Sequence, residues 1–330
     1  MKRKIAIIAG GDSSEYEVSL RSAAGIESFL SDQEQYTTTI VLLRGQDWKV
    51  RVSENEWVAI DKNDFSYTHQ GEKQTFDFAY ITIHGTPGEN GVLQGYLDMI
   101  GLPYSCCGVL AAAITFNKYT CNHYLKGFGV RVAESILLRK SNAQYSIADI
   151  SSRVGLPCFV KTNVGGSSFG VTKVKTIEEV KPAIEKAFAE GDEVICEAFM
   201  RGVEITCGAY KTKNQAVAFP ITEVVTSNEF FDYDAKYNGQ VDEITPARIP
   251  DEVRDEVQAL TLKIYDILGC KGIIRVDYIL TEGWKINLLE VNTTPGMTAT
   301  SFIPQQVCAA GLNIGEVLSE IIEEEMKCKV

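Results

Sequence analysis

Histidine is scarce in this chain, occurring only as His69, His84 and His123, too few and too scattered for a metal cluster. Nine cysteines are present, but none has C-x-x-C spacing, and an odd number cannot pair completely within one chain. Both observations argue against zinc and against a disulfide framework, and the vicinal Cys106-Cys107 reads as reduced thiols of core or loop. No apolar run reaches the ~18–20 residues of a membrane span, and Met1-Lys-Arg-Lys-Ile-Ala6 flows into a strand rather than a cleavable signal. A cytoplasmic protein with no membrane partner is expected. Positive charge is also short. The 44 acidic and 32 basic residues leave a net charge of −12, which argues against nucleic acid as a partner.

What remains is ordinary for a folded protein: 45% hydrophobic and 23% charged residues in 330, a length that suggests two or three domains. Neither internal repeats nor low-complexity segments occur. The chemistry is densest in Arg275–Gly296, R-V-D-Y-I-L-T-E-G-W-K-I-N-L-L-E-V-N-T-T-P-G. Two short runs rich in Val, Ile, Leu and aromatics, Arg275–Thr281 and Trp284–Val291, flank Glu282-Gly283 and predict a hairpin. A two-residue turn pairs Thr281 with Trp284, sets Asp277 opposite Leu288 and Arg275 opposite Glu290. Arg275, Asp277, Glu290 and Asn292 then share one face, with Asp277 and Glu290 diagonal neighbours about 7–8 Å apart. Two carboxylates and an amide are hard oxygen donors of the kind Mg²⁺ takes, and a neighbouring arginine suits phosphate charge. Taken alone, the same four residues fit an edge hairpin with a solvated face equally well.

Other segments carry candidate ligand loops. Lys4–Ala9 is an apolar strand ending in Gly10-Gly-Asp-Ser-Ser14 before a helix over Val18–Phe29, the opening of a doubly wound α/β domain. The turn is not G-x-G-x-x-G, so a dinucleotide reading is weak. Glu15 and Glu17 sit where acids also serve simply as favourable charge at a helix N-terminus. Strand Phe76–Ile83 stops at His84-Gly-Thr-Pro-Gly-Glu-Asn-Gly91, a glycine-flanked histidine better suited to a ligand loop than to a core. Asn117-Lys118 opens a further helix. Strand Leu156–Lys161 runs into Gly165-Gly-Ser-Ser-Phe-Gly170, which lacks G-K-[ST] yet offers N–H and hydroxyl donors to phosphate; a plain hairpin turn is the alternative. Phe230–Tyr237 has no regular period and reads as a packed surface loop or a lid. Ser301 alone reads as a helix cap.

These motifs, in this order, resemble the ATP-grasp carboxylate–amine ligases, and most of all the D-alanine–D-alanine ligase family. The resemblance covers nearly the whole chain. G-G-D-S-S-E-Y-E-V-S matches the family's G-G-x-S-x-E-x-E-V-S; Asn90 replaces an aspartate in H-G-x-x-G-E-D-G, and Thr162 and Gly165 depart from K-P-x-x-x-G-S-S-x-G. Ala198 stands where a lysine is common. The resemblance implies an α/β, in part α+β, ATP-grasp fold of three domains: a Rossmann-like substrate domain 1–112, a central domain 113–200 and a C-terminal domain 201–330, with ATP between the last two. It implies that ATP activates one D-alanine as an acyl phosphate which a second D-alanine attacks. By resemblance, Glu15 holds the first ammonium group, with Ser167 and Tyr237 orienting it, and His84 lies near the first carboxylate. Lys118, Lys161, Ser168 and Lys236 contact phosphates; Glu197, Phe199 and Met200 the adenine edge; Glu204 the ribose. Asp277, Glu290 and Asn292 hold two Mg²⁺ (or Mn²⁺), Arg275 and Gly296 stabilise developing oxyanions, and Thr298, Ser301 and Phe302 surround the second D-alanine. The Lys236-Tyr237 pair points to amide rather than ester formation, and the family suggests a homodimer through the N-terminal domain. The rival readings are another ATP-grasp ligase, differing around Glu15, Tyr237 and Ser301, and a non-catalytic ATP or amino-acid sensor.

Overall fold

A computed structural model describes residues 2–142, 145–165, 171–226 and 241–327. Three larger sheets follow one another along the chain. The first contains β1 (Arg3–Gly10), β2 (Tyr36–Arg44), β3 (Asp47–Ser53), β4 (Glu56–Ala59) and β7 (Phe78–Ile81) in the order β4-β3-β2-β1-β7. β1 pairs in parallel with both β2 and β7. A central parallel strand is covered on both faces, which explains why Ile5–Ala9 has no polar alternation. Ile5, Ile7 and Ala9 pack beneath α1 (Tyr16–Phe29), whereas Ala6 and Ile8 pack with Leu93 and Leu97 of α2 (Val92–Ile100). β5 (Tyr67–His69) and β6 (Glu72–Gln74) form a small separate hairpin.

The second sheet has β8 (Ser135–Arg139), β9 (Cys158–Thr162), β10 (Thr172–Val174) and β11 (Glu193–Ala198) in the antiparallel order β10-β9-β11-β8. α5 (Ile147–Val154) and α6 (Ile177–Glu190) close its core. Thr176 and Glu179 start α6 with a reciprocal capping box that satisfies two otherwise unpaired N–H groups.

The third sheet runs β15 (Val241–Ile244), β14 (Thr222–Thr226), β12 (Gly202–Lys211), β16 (Ile274–Thr281), β17 (Lys285–Asn292), with β13 (Ala216–Ala218) also paired to β12. One face is buried by α7 (Asp251–Leu268) together with α3 (Val109–Phe116) and α4 (Lys118–Lys126). The other face carries α8 (Phe302–Ala309), and α9 (Ile314–Lys327) continues from there to the apolar side of β1. Gln306, fully buried, fastens α8 to the sheet by accepting from Gly208 N and donating to the Thr206 carbonyl and Thr222 Oγ1.

The β16–β17 hairpin forms, but its register differs from the expected one. Thr281 pairs with Lys285 rather than Trp284, because Trp284 adopts a left-handed backbone (φ 59°) and lengthens the turn by one residue. A bulge then skips Leu289, so Asp277 faces Glu290 rather than Leu288, and Arg275 faces Asn292 rather than Glu290. Each slip alone would invert the side chains; together they shift the pairing by two and restore the face. Asp277 and Glu290 are consequently direct neighbours, closer than the diagonal expected.

Candidate active site

Loops from all three sheets meet over the face that carries Arg275, Asp277, Glu290 and Asn292. From the first sheet comes the glycine turn after β1. Gly11 has φ +93°, and a Cβ there would lie 2.4 Å from Ile83 Cγ2, so the two ligand loops touch only because this position has no side chain. Ser13 Oγ donates to the His84 carbonyl (2.7 Å) and accepts from Glu15 N (3.2 Å), tying Glu15 to His84. His84 is buried, and its Nε2 has no hydrogen-bond partner among the described residues. Burial pulls the imidazole below its ordinary pKa; the nearby Glu15 charge opposes this and Arg275 adds to it. A neutral histidine with an unused ring nitrogen beside an acid and a guanidinium is an incomplete set that a zwitterion would complete.

Arg275 donates to both oxygens of Asp277, from Nε (2.9 Å) and Nη2 (2.8 Å), and its Nη2 lies 3.9 Å from Glu290 Oε1. Burial disfavours the guanidinium charge, but Asp277, Glu290 and Glu89 outweigh it and the pKa moves up. Asn292 Oδ1 accepts from Thr294 N at 2.9 Å, which fixes the amide at the strand end. Among the described residues no group of three or more His, Cys, Asp or Glu side chains forms a metal site. The donors here are instead two carboxylates and one amide, and the Asp277 oxygens keep free lone pairs beyond Arg275. That set fits Mg²⁺, which fills the rest of its shell with water and phosphate oxygens.

An open cleft lies beside them, lined by Glu89, Lys118, Gly165, Glu290 and Asn292 among others. Lys118 Nζ donates to the Gly165 carbonyl. Lys161 and Glu197, opposite sides of the β9–β11 pairing, form a buried ion pair at 2.7 Å with side chains only 12% and 4% exposed. Burial lowers the Lys161 ammonium, Glu197 more than offsets that, and Glu290 and Glu204 add to the rise. Glu204 lies on the same sheet face as Asp277, two residues from its partner Thr206. Phe199 packs on Phe159 with ring centroids 5.8 Å apart and sits under Lys173 Nζ at 4.4 Å; Met200 follows β11 half-buried.

Gly296, Thr298, Ser301 and Phe302 gather beside Arg275. Ser301 occupies the N-cap position of α8, yet its Oγ meets Thr298 N (3.1 Å) and Thr298 Oγ1 (2.8 Å) instead of a helix N–H. The Phe302 ring lies 5.4 Å from Arg275 Cζ. Helix α1 comes close to this segment at Gly25, where a Cβ would lie 2.1 Å from the Met297 carbonyl oxygen. Ser167, Ser168, Lys236 and Tyr237 lie outside the described residues.

The family description D-ala D-ala ligase N-terminus matches residues 4–107, and D-ala D-ala ligase C-terminus matches residues 124–323. The chain belongs to the D-alanine–D-alanine ligase family. A D-alanine–D-alanine ligase of Bacteroides fragilis is 67% identical over 325 residues, 98% of this chain and 100% of that protein. Among solved structures, the VanG D-Ala:D-Ser ligase from Enterococcus faecalis superposes with a TM-score of 0.87 at 29% identity, covering 98% of this chain and 100% of its own. A D-alanine–D-alanine ligase from Bacillus anthracis complexed with ATP gives 0.78 at 28% identity, covering 99% and 98%.

Two residues of this family member escape sequence reasoning. Asn163, fully buried, accepts from Tyr119 N through Oδ1 (2.9 Å) and from Lys118 N through its carbonyl (3.1 Å), while Nδ2 donates to Glu193 Oε2 (2.7 Å). It pins the start of α4, and so Lys118, to the strand that leads into the glycine loop. Glu89 accepts from Gly85 N at 2.7 Å and donates its own N–H to the Gly85 carbonyl at 2.8 Å, closing the His84 loop on itself. Burial pushes its carboxyl up to about 8, and the neighbouring Glu15 charge pushes in the same direction. The only sequence signal for either was its place within two residues of a glycine in a ligand loop.

Proposed function

We propose that this chain joins two D-alanine molecules into D-alanyl-D-alanine, converting ATP to ADP and phosphate, and so supplies a precursor for cell-wall peptidoglycan. The observation that carries the reading is the Glu15–His84–Arg275 set beside the Asp277–Glu290–Asn292 face. That arrangement is the one expected of an amino-acid pocket next to a phosphate and cation site.

A carboxylate is a poor acyl donor because its own oxygen leaves badly, so the first D-alanine must be activated. Glu15 holds its ammonium group, and His84, neutral and buried, lies near its carboxylate. The carboxylate oxygen attacks the γ-phosphorus of ATP, the bond to ADP breaks, and an acyl phosphate forms. Lys118 and Lys161, with Lys236 and the Ser168 loop, hold the phosphates. Asp277, Glu290 and Asn292 would hold two Mg²⁺ (or Mn²⁺), which would supply positive charge against the transferring phosphoryl group. The amine of the second D-alanine, held among Thr298, Ser301 and Phe302, then attacks the acyl carbon and gives up a proton. Arg275 and Gly296 N–H stabilise the tetrahedral oxygens before phosphate departs. Holding two small zwitterions in line supplies much of the rate.

Glu197, Phe199, Met200 and Glu204 are assigned to adenine and ribose, and Ser167 with Tyr237 to the orientation of Glu15. The three sheets are taken as domains 1–112, 113–200 and 201–330, with ATP between the last two, in a cytoplasmic enzyme. A homodimer is also proposed. α2 and α3 expose Val92 (61%), Met99 (88%), Val109 (42%) and Leu110 (74%) on adjoining surfaces, an apolar area suited to a second copy.

Phosphate release from MgATP with D-alanine tests the reaction, with products identified by mass and with L-alanine and D-alanine plus D-lactate in parallel. Release with D-alanine and a D,D-dipeptide product is expected. Intact ATP binding without release would move the function to another ligase or a sensor.

A further inference from the structure

The sheet register places an unassigned carboxylate on the active-site face. Glu243 of β15 lies opposite Val224 of β14, Val224 opposite Glu204 of β12, and Glu204 opposite Ile279 of β16. Directly opposed residues share a face, and Ile279 shares its face with Asp277 two residues away. Glu243 therefore emerges on the side that carries Arg275 and Asp277, at a solvent-reached rim.

Its partner is Gln305, in the first turn of α8. Gln305 Nε2 donates to Glu243 Oε2 at 2.6 Å and to the Thr300 carbonyl at 2.8 Å, so both amide hydrogens are spent. Thr300 lies between the two hydroxyl residues already described, and its Oγ1 lies 3.3 Å from Thr298 Oγ1. The next residue, Gln306, anchors α8 to the sheet and does not reach this segment. The fold thus contains two separate attachments: one holds the helix, the other holds the turn before it. Burial raises the Glu243 carboxyl, while the Gln305 N–H and the Arg275 charge favour its ionised form.

We propose that Glu243 is a positioning residue of the second-substrate site, gripping Gln305 and through it the Thr300 carbonyl, so that Thr298, Ser301 and Phe302 are presented in one arrangement. The proposal rests on the ligase reading for its substrate, though not for its geometry. Glu243 binds nothing itself; it removes freedom from the turn that receives the amine nucleophile.

Two readouts test it. With D-alanine as sole amino acid, steady-state kinetics resolve Michaelis constants for the first and second molecule. Glu243→Ala is expected to raise the second constant roughly tenfold, leaving those for ATP and the first D-alanine within about twofold. Gln305→Ala should do the same, the double substitution should be no worse than either, and Glu243→Gln, whose amide oxygen still accepts from Gln305 Nε2, should keep most of the wild-type value. Independently of substrate, amide hydrogen exchange over residues 298–302 should quicken in Glu243→Ala and in Gln305→Ala and stay near wild type in Glu243→Gln. Unchanged exchange, or Michaelis constants that all move together with a falling Tm, would overturn the positioning role. Faster exchange in Glu243→Ala, together with a wild type that forms no dipeptide, would leave the clasp standing and remove the ligase reading instead.

Discussion

Single ionic contacts in this molecule differ in what their loss would do. Lys161 and Glu197 are both buried, so removing one partner strands a charge away from water. Glu197→Ala should cost about 3–5 kcal/mol in urea unfolding at pH 7. Glu197→Gln, which retains an acceptor for Lys161, should cost less. Glu223 offers a pH test of a different kind. Hydrogen bonds from Arg248 Nε (2.9 Å) and Nη2 (2.7 Å) hold its carboxyl below the ordinary value, with Arg248 itself exposed. A depressed folded-state pKa contributes stability above the unfolded value near 4.5 and loses it as pH falls through the folded one. Arg248→Ala should therefore lower Tm at pH 7, with the gap to wild type closing as pH falls below 4.5; a gap that is constant with pH would assign the effect to packing. Arg275, Glu15 and His84 were legible as chemistry because each stands in a short motif of glycine or carboxylate. Glu243 and Gln305 were not, since an alternating strand residue and a helix glutamine have no local signature until the register sets them together.

At the scale of elements, the hairpin shows how a correct face can follow from an incorrect pairing. Neither the third turn residue, Trp284, nor the bulge at Leu289 has a composition that announces it, so alternation alone gave two offsets that cancelled. Some other elements were legible from apolar periodicity and glycine punctuation, β1 as an unbroken apolar run, α4 from Asn117-Lys118 and α7 ending at Gly269, whereas β2 to β6 were not anticipated. The bulge carries its own prediction. Deleting Leu289 should close the ladder with Glu290 still opposite Asp277 and Asn292 still opposite Arg275, so Mg²⁺-dependent turnover should survive; a loss that added Mg²⁺ does not restore would mean that the bulge itself aims them. The Asn163 link between β9 and α4 is a second device at this scale. Asn163→Ala should raise the Michaelis constant for ATP by roughly tenfold while leaving that of the first D-alanine unchanged, because Lys118 and the glycine loop would lose their common anchor. Equal changes in both would indicate a general loosening.

The whole molecule is joined by surfaces that no motif describes. Arg275 belongs to the third sheet, Glu15 and His84 to loops of the first, and Lys161 to the second, so the pocket exists only when all three are assembled. The apolar α2–α3 surface gives the largest-scale prediction: Met99→Asp with Leu110→Asp should halve the mass seen by light scattering at micromolar concentration. An unaltered mass would place the dimer contact elsewhere or show the chain to be monomeric.

The apolar side of β1 is closed by Val317, Leu318, Ile321 and Ile322 of α9, and Tyr36 reaches Ser319 Oγ across 283 residues of sequence at 2.8 Å. A chain leaving the ribosome at about 5–20 residues per second therefore presents its first sheet long before the helix that covers it has been made. For those tens of seconds the nascent protein carries an open apolar surface, a natural target for a chaperone at the tunnel exit.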